Sequence, residues 1–162
     1  MKRAILLAKI NKILLEEGCN VTTVMAGENI HGEECLNVCN KKLLILDYLN
    51  PTEVSKFYNI CDLFVFPSIF ETGPQVILEA RACGAVCVVS KDGGGKRIKK
   101  NGEDGVILNN QSPENWSGEI IKLLRNKKKI KLMKEKVQLS NTYPSWEDIF
   151  YDIFFEEWKS II

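Results

Sequence analysis

The chain has 162 residues, with 22 Lys+Arg against 21 Asp+Glu and a formal net charge of +1. That length suits one domain, and 45% hydrophobic against 27% charged residues excludes a disordered chain, which would be poor in aliphatics and strongly charged. The balanced charge gives no reason to expect nucleic acid as a partner, and no apolar run reaches the roughly 18–20 residues needed to span a bilayer.

The first element is an amphipathic helix. Ala4, Ile5, Ala8, Ile10, Ile13, Leu14 and Leu15 recur at a broad helical period. Lys9, Lys12, Glu16 and Glu17 interrupt the apolar stretch and no small-residue cleavage site follows, which argues against a secretory signal. Gly18 stops the helix. Val21–Gly27 reads as a strand ending in a turn, and His31–Asn40 as an ambiguous segment or short helix. Leu43–Leu46 is an apolar run between Lys42 and Asp47, hence a buried strand. Asn50, Pro51 and Glu53 are the cap, first position and first-turn acid of a helix that runs to about Ile60.

Leu63–Phe66 is a second buried strand, stopped by Pro67. A helix starts at Pro74 and ends near Gly84. Val86–Val89 is a strand followed by a Gly-rich turn, and Val106–Leu108 a short strand after Gly105. Ser112-Pro113-Glu114 opens a capped helix to about Leu124. Lys127–Ser140 reads as a basic helix, and Ser145 opens a last helix over about 145–160. Short, non-alternating apolar strands between helices predict a doubly wound α/β fold with a parallel sheet covered on both faces. No linker, repeat or low-complexity segment divides the chain, so residues 1–162 read as a single domain.

The six cysteines, Cys19, Cys35, Cys39, Cys61, Cys83 and Cys87, form no CxxC, and His31 is the only histidine. Zinc sites show paired ligands at tight spacing, so no metal is expected. Cys83 ends a helix and Cys87 enters a strand, which makes that CxxxC pair core filling. Free thiols in this number fit a reducing, cytoplasmic compartment.

Ligands of open parallel sheets bind at the carboxyl ends of the strands. Three loops lie there: residues 26–34, 67–74 and 90–97. A helix start and a Gly-rich turn both present free N–H groups to an anion, so a phosphate-bearing ligand is one reading; the glycines as plain turn residues is the other. Val76, Glu79, Ala80 and Cys83 share one helix face. A carboxylate on that apolar face either binds ligand hydroxyls or sits at the stripe's edge in water. Glu71, in the loop before it, could reach the same cleft.

These residues resemble the donor half of group 1 (family 4-like) glycosyltransferases, which pair two Rossmann-like domains in a GT-B fold. The resemblance rests on Pro67-Ser68 after the strand, Glu71 and Glu79 as a Glu-x7-Glu motif, and Ala80-Arg-Ala-Cys-Gly84 before the next strand. Asp47–Asp62 upstream and Asn101-Gly-Glu-Asp-Gly105 downstream also match, as does Ser145-Trp146. It implies the C-terminal half of a GT-B enzyme, cytoplasmic and metal-independent, that binds a nucleotide-diphosphate sugar and transfers the sugar with retention. Carried over, Glu71 faces the transferred sugar as the catalytic carboxylate, and Glu79 holds the ribose hydroxyls. The segment Thr72, Gly73, Pro74, Gln75 and Val76 faces the diphosphate with the backbone N–H groups of the helix start, with Gly94 and Gly95 in the facing turn. Lys2 corresponds to the phosphate-binding lysine.

Three departures stand out. The family's Glu-x-Phe-Gly is Glu71-Thr-Gly-Pro74 here, and Pro74 has no N–H. Its Gly-Gly-x-x-Glu is Gly93-Gly-Gly-Lys-Arg97, so a cation replaces a carboxylate. The family's first strand with its Arg, and the acceptor-binding half, have no counterpart in these residues. The expected partners are therefore a nucleotide sugar and an acceptor-binding domain or subunit. The eight Lys/Arg of Lys122–Lys136 read as a solvated helix face or as a contact for an anionic membrane surface. The apolar face of the last helix, Trp146 to Trp158, awaits a packing partner. The alternative is an interaction module derived from the same fold and no longer catalytic. A phospho-receiver domain shares the sheet type but would need an acidic pair at its first strand end, which is missing.

Overall fold

The computed structural model describes residues 3–27, 31–109 and 112–139. In chain order the elements are α1 (Ala4–Glu16), β1 (Val24–Ala26), α2 (Gly32–Val38), β2 (Leu44–Leu46), α3 (Pro51–Ile60), β3 (Leu63–Phe66) and α4 (Gln75–Ala82). There follow β4 (Val86–Ser90), α5 (Lys91–Gly94), a 3-10 turn (Gly95–Arg97), β5 (Val106–Leu108), α6 (Pro113–Leu124) and α7 (Lys127–Leu139). The last helix expected from about Ser145 lies outside the described residues.

Local chemistry sets the helix ends. Asn50 and Glu53 form a reciprocal capping box at α3, with Pro51 in the first position. Ser112 caps α6 through the Asn115 N–H. After α1 the chain turns at Gly18, whose φ of +72° suits glycine. The segment His31–Asn40, ambiguous in sequence, contains α2.

Strand pairing among the described residues is parallel. β3 pairs with β4 and β4 with β5, while β1 pairs with β2. Among the described residues these are two hydrogen-bonded groups, β1-β2 and β3-β4-β5. β4, with a neighbour on each side, is buried throughout. Its alternate residues serve opposite faces: Val86 and Val88 pack with Leu6, Ile10, Trp116 and Ile120, and Cys87 and Val89 with Tyr58, Ile77 and Ala80. Helices therefore cover both faces, α1 and α6 on one and α3 and α4 on the other. That arrangement is the doubly wound one expected, and it explains why the strand reads as an unbroken apolar run.

A third cluster, Ala8, Cys35, Cys39 and Leu43, joins α1 to α2 and the β1-β2 pair. α1 thus contributes to the cores on both strand groups.

Three strand expectations change, the first in Leu63–Phe66, where only Phe66 is buried and the other three residues are half-buried. β1 begins at Val24 rather than Val21. Leu43–Leu46 is not a buried strand: Leu44 is 50% exposed and, among the described residues, β2 pairs along one side only. α7 buries Ile130, Met133 and Val137 and turns its lysines outward. Lys134 reaches Asp62 at 3.6 Å and Lys136 pairs with Glu103. No described helix is long and apolar enough to cross a membrane.

Candidate functional site

The parallel register sets Phe66 beside Val89, so the loops that follow β3 and β4 leave the same edge of the sheet. Ser68 and Ser90 join them. The buried Ser90 Oγ donates to the Ser68 carbonyl and accepts from the Gly93 N–H at 3.0 Å. Gly93 is required there, because a Cβ on it would come within 2.0 Å of the Ser68 carbonyl oxygen. A Cβ on Gly94 would fall 2.4 Å from Ile77 Cδ1 of α4. The Gly-rich segment is therefore a helical turn, α5, packed tightly under the loop after β3. The Gly95 N–H donates to the Lys91 carbonyl. Gly94 packs against Ile77 and Val89, and Gly95 faces Ile107 of β5.

Ser68, itself buried, donates from Oγ to Glu71 Oε1 at 2.9 Å. This fixes a half-buried carboxylate at the sheet's carboxyl edge. Thr72 and Gln75 are exposed, Gly73, Pro74 and Val76 partly so. Pro74 is the N-cap of α4 rather than its first helical residue, and no side chain caps that end. The helix start is therefore open to an external acceptor, with Pro74 contributing no donor. Lys2, and residues 28–30 of the first loop, lie outside the described residues.

Glu79 is exposed on α4, one turn beyond Gln75 and Val76. The buried residues of α4 are Ile77, Ala80 and Arg81, so the apolar-face argument for Glu79 is corrected: it stands at the edge of the buried stripe and reaches solvent. Its charge is still felt. Burial first, and Glu79 second, push the Tyr58 phenol up to about 12.

The buried charge of α4 is instead Arg81, which the sequence did not single out. Its guanidinium donates to Asp104 Oδ2 and to the Asp104 carbonyl, both at 2.7 Å. Burial would raise the Asp104 pKa, but N–H donors from Lys100 and Lys99 and the Arg81 charge outweigh it, and the carboxyl lies below its usual range. The pair ties α4 to the turn before β5. The signal in sequence was Arg81 four residues after Ile77, on the face that the structure buries.

Arg97 ends the 3-10 turn after β4. A Cβ on Gly73 would lie 3.7 Å from its Nη2, so the guanidinium stands beside the 71–75 loop. Ile69 and Phe70, just before Glu71, are exposed apolar residues at the same edge. Cys87 is buried in β4 and its thiol pushed up to about 12 by burial, as core filling requires.

The model of the family described as glycosyl transferases group 1 matches residues 1–139. The chain belongs to this family. The D-inositol 3-phosphate glycosyltransferase of Segniliparus rotundus is 34% identical over 83 residues, which are 51% of this chain and 18% of that protein. Among solved structures, the C-terminal domain of a group 1 glycosyl transferase (LpcC) from Francisella tularensis superposes with a TM-score of 0.73 at 18% identity, covering 85% of this chain and 76% of that one. Anabaena HepE in complex with UDP gives a TM-score of 0.73 at 17% identity, covering 99% of this chain and 45% of that one. These likenesses establish a Rossmann-like half of the GT-B fold. The chain spans less than a third of the length of the curated relatives it matches.

Proposed function

We propose that this chain is the donor-binding half of a glycosyltransferase that uses a nucleotide-diphosphate sugar. The observation that carries the reading is the Ser68–Glu71 hydrogen bond at 2.9 Å, set just ahead of the uncapped start of α4. A carboxylate locked beside an open helix start offers two different functions within one loop: acceptors for sugar hydroxyls and N–H donors for phosphate oxygens.

In this reading Glu71 takes the transferred sugar's hydroxyls and Glu79, exposed one helical turn further on, the ribose hydroxyls. Thr72 to Val76 wrap the diphosphate, Gly94 and Gly95 form the floor, and Lys2 adds a charge. No metal is called for, because N–H groups and cations neutralise the phosphates. Anabaena HepE, which shares the fold, forms complexes with UDP and with UDP and glucose; in this reading the present chain takes its donor across the edge that holds Glu71.

Transfer with retention to an acceptor then needs an acceptor-binding domain or subunit. The exposed Ile69 and Phe70 beside Glu71 suit a protein surface closing over the sugar. The reading requires no contact of the α7 lysines with a membrane.

Calorimetric titration with UDP-, GDP- and ADP-sugars tests the proposal. One of them should bind at millimolar concentration or better, and Glu79→Ala should weaken it about tenfold while Glu71→Ala removes discrimination between the sugar nucleotide and the free nucleotide. A folded chain that binds none of the three would overturn it.

A further inference from the structure

We infer that Arg97 is a diphosphate-binding residue of this site and supplies its fixed positive charge. The inference rests on the donor-binding reading above and adds a residue to it that neither the helix start nor the Glu71–Glu79 pair provides.

Arg97 stands at the end of the turn after β4, on the sheet edge from which the 67–74 loop also departs. The separation of 3.7 Å between its Nη2 and a Cβ placed on Gly73 puts the guanidinium at the loop that leads into α4. That loop and that turn cannot drift apart easily. The Ser90 hydroxyl donates to the Ser68 carbonyl, and Gly93 lets the two backbones approach more closely than any side chain would allow.

Arg97 is partly buried, yet it makes no ion pair or hydrogen bond among the described residues. Two other cations that lose exposure are paired: buried Arg81 with Asp104 and half-buried Lys134 with Asp62. A guanidinium that has given up part of its hydration without a counter-ion lacks compensation until an anion arrives. Its planar fork of five donors matches two non-bridging phosphate oxygens. Glu71 is the acid of the facing 67–74 loop, and its Oε1 accepts from Ser68 rather than from Arg97. The acid is thereby left for the sugar and the cation for the phosphates. Without the cation, a diphosphate arriving next to Glu71 would meet a like charge and a helix start that has lost one N–H to Pro74.

The position also explains a departure noted in the sequence. Gly93-Gly-Gly-Lys-Arg97 ends in a cation where the resembling family's pattern has a carboxylate. At this distance from the 71–75 loop, the guanidinium gives this chain a charge favourable to a phosphate that the family's carboxylate does not supply.

The test titrates the wild-type chain and Arg97→Gln with UDP, GDP and ADP and with the matching nucleosides, using inorganic pyrophosphate as competitor. Arg97→Gln should weaken the diphosphate that binds by about ten- to a hundredfold and leave its nucleoside unchanged. Pyrophosphate should compete on the wild type and not on the variant. Arg97→Lys should recover part of the loss, since a point charge replaces the fork. Thermal unfolding checks the fold, and Arg97→Met, which keeps the stem, takes the place of Arg97→Gln if that variant is unfolded. Equal diphosphate affinity in wild type and variant overturns the role of Arg97 and leaves the donor reading standing. No binding of any nucleotide by the wild type overturns both.

Discussion

The orientation of Glu71 depends on a chain of short contacts that begins in another strand's loop. Ser90 holds the Ser68 carbonyl, and Ser68 in turn holds the carboxylate. The sequence made Glu71 and Pro67-Ser68 visible as a motif. It did not make Ser90 visible, since its partner lies 22 residues away in sequence and meets it only through the parallel register. The glycine between them is the sensitive point. In Gly93→Ala the new methyl would overlap the Ser68 carbonyl oxygen, a backbone atom with no room to yield. We expect a loss of about 1–3 kcal/mol by denaturant unfolding and a parallel loss of sugar-nucleotide affinity as Ser68 shifts away from Glu71. Unchanged affinity in a destabilised Gly93→Ala would separate this seam from the site.

At the scale of elements, helix ends with chemical caps were readable and helix faces were not. Asn50-Pro51 and Ser112-Pro113 mark the starts of α3 and α6 because the cap is a local hydrogen bond. The buried face of α4 depends on where its neighbours sit. The spacing allowed a stripe through Val76, Ala80 and Cys83, and packing chose Ile77, Ala80 and Arg81 instead. The consequence is that α4 is anchored by a buried ion pair. Removing Arg81 alone, as in Arg81→Met, leaves the Asp104 carboxylate buried without its cation and should cost about 3–5 kcal/mol. Arg81→Met with Asp104→Asn should cost less than Arg81→Met alone, because no charge is then stranded. The pair also predicts an acid response. The Asp104 pKa is lower in the folded chain than its ordinary value of 3.8, so protons bind the unfolded chain more readily. The stabilisation is complete above about pH 4 and disappears as the pH falls through the lower folded value. Unfolding midpoints measured from pH 6 to pH 2 should show a steeper fall for the wild type than for Asp104→Asn.

At the scale of the whole molecule, the apolar runs announced parallel strands but not which strands have neighbours. β4 and β2 look alike in sequence, as VCVV and LLIL do. One is buried throughout and the other leaves Leu44 half exposed, because β4 is flanked on both sides and β2 on one. The cores differ to match. Twelve buried residues on one face of β3-β4-β5 and eight on the other hold that group, whereas four hold α2 and the β1-β2 pair against α1. Local stability follows buried apolar contact and doubly paired backbone. Amides of Val86–Ser90 should therefore exchange only with global unfolding. Those of Val24–Ala26 and Leu44–Leu46 should exchange through local opening, at least tenfold faster in the same sample. The division has a functional side. The edge proposed for the donor places Ser68, Glu71, Ser90 and Arg97 on the more stable group, so these residues should keep their geometry while the β1-β2 flank opens. If native-state hydrogen exchange gave equal protection to both strand groups, the fold would be a single cooperative unit and this separation of site from flank would fail.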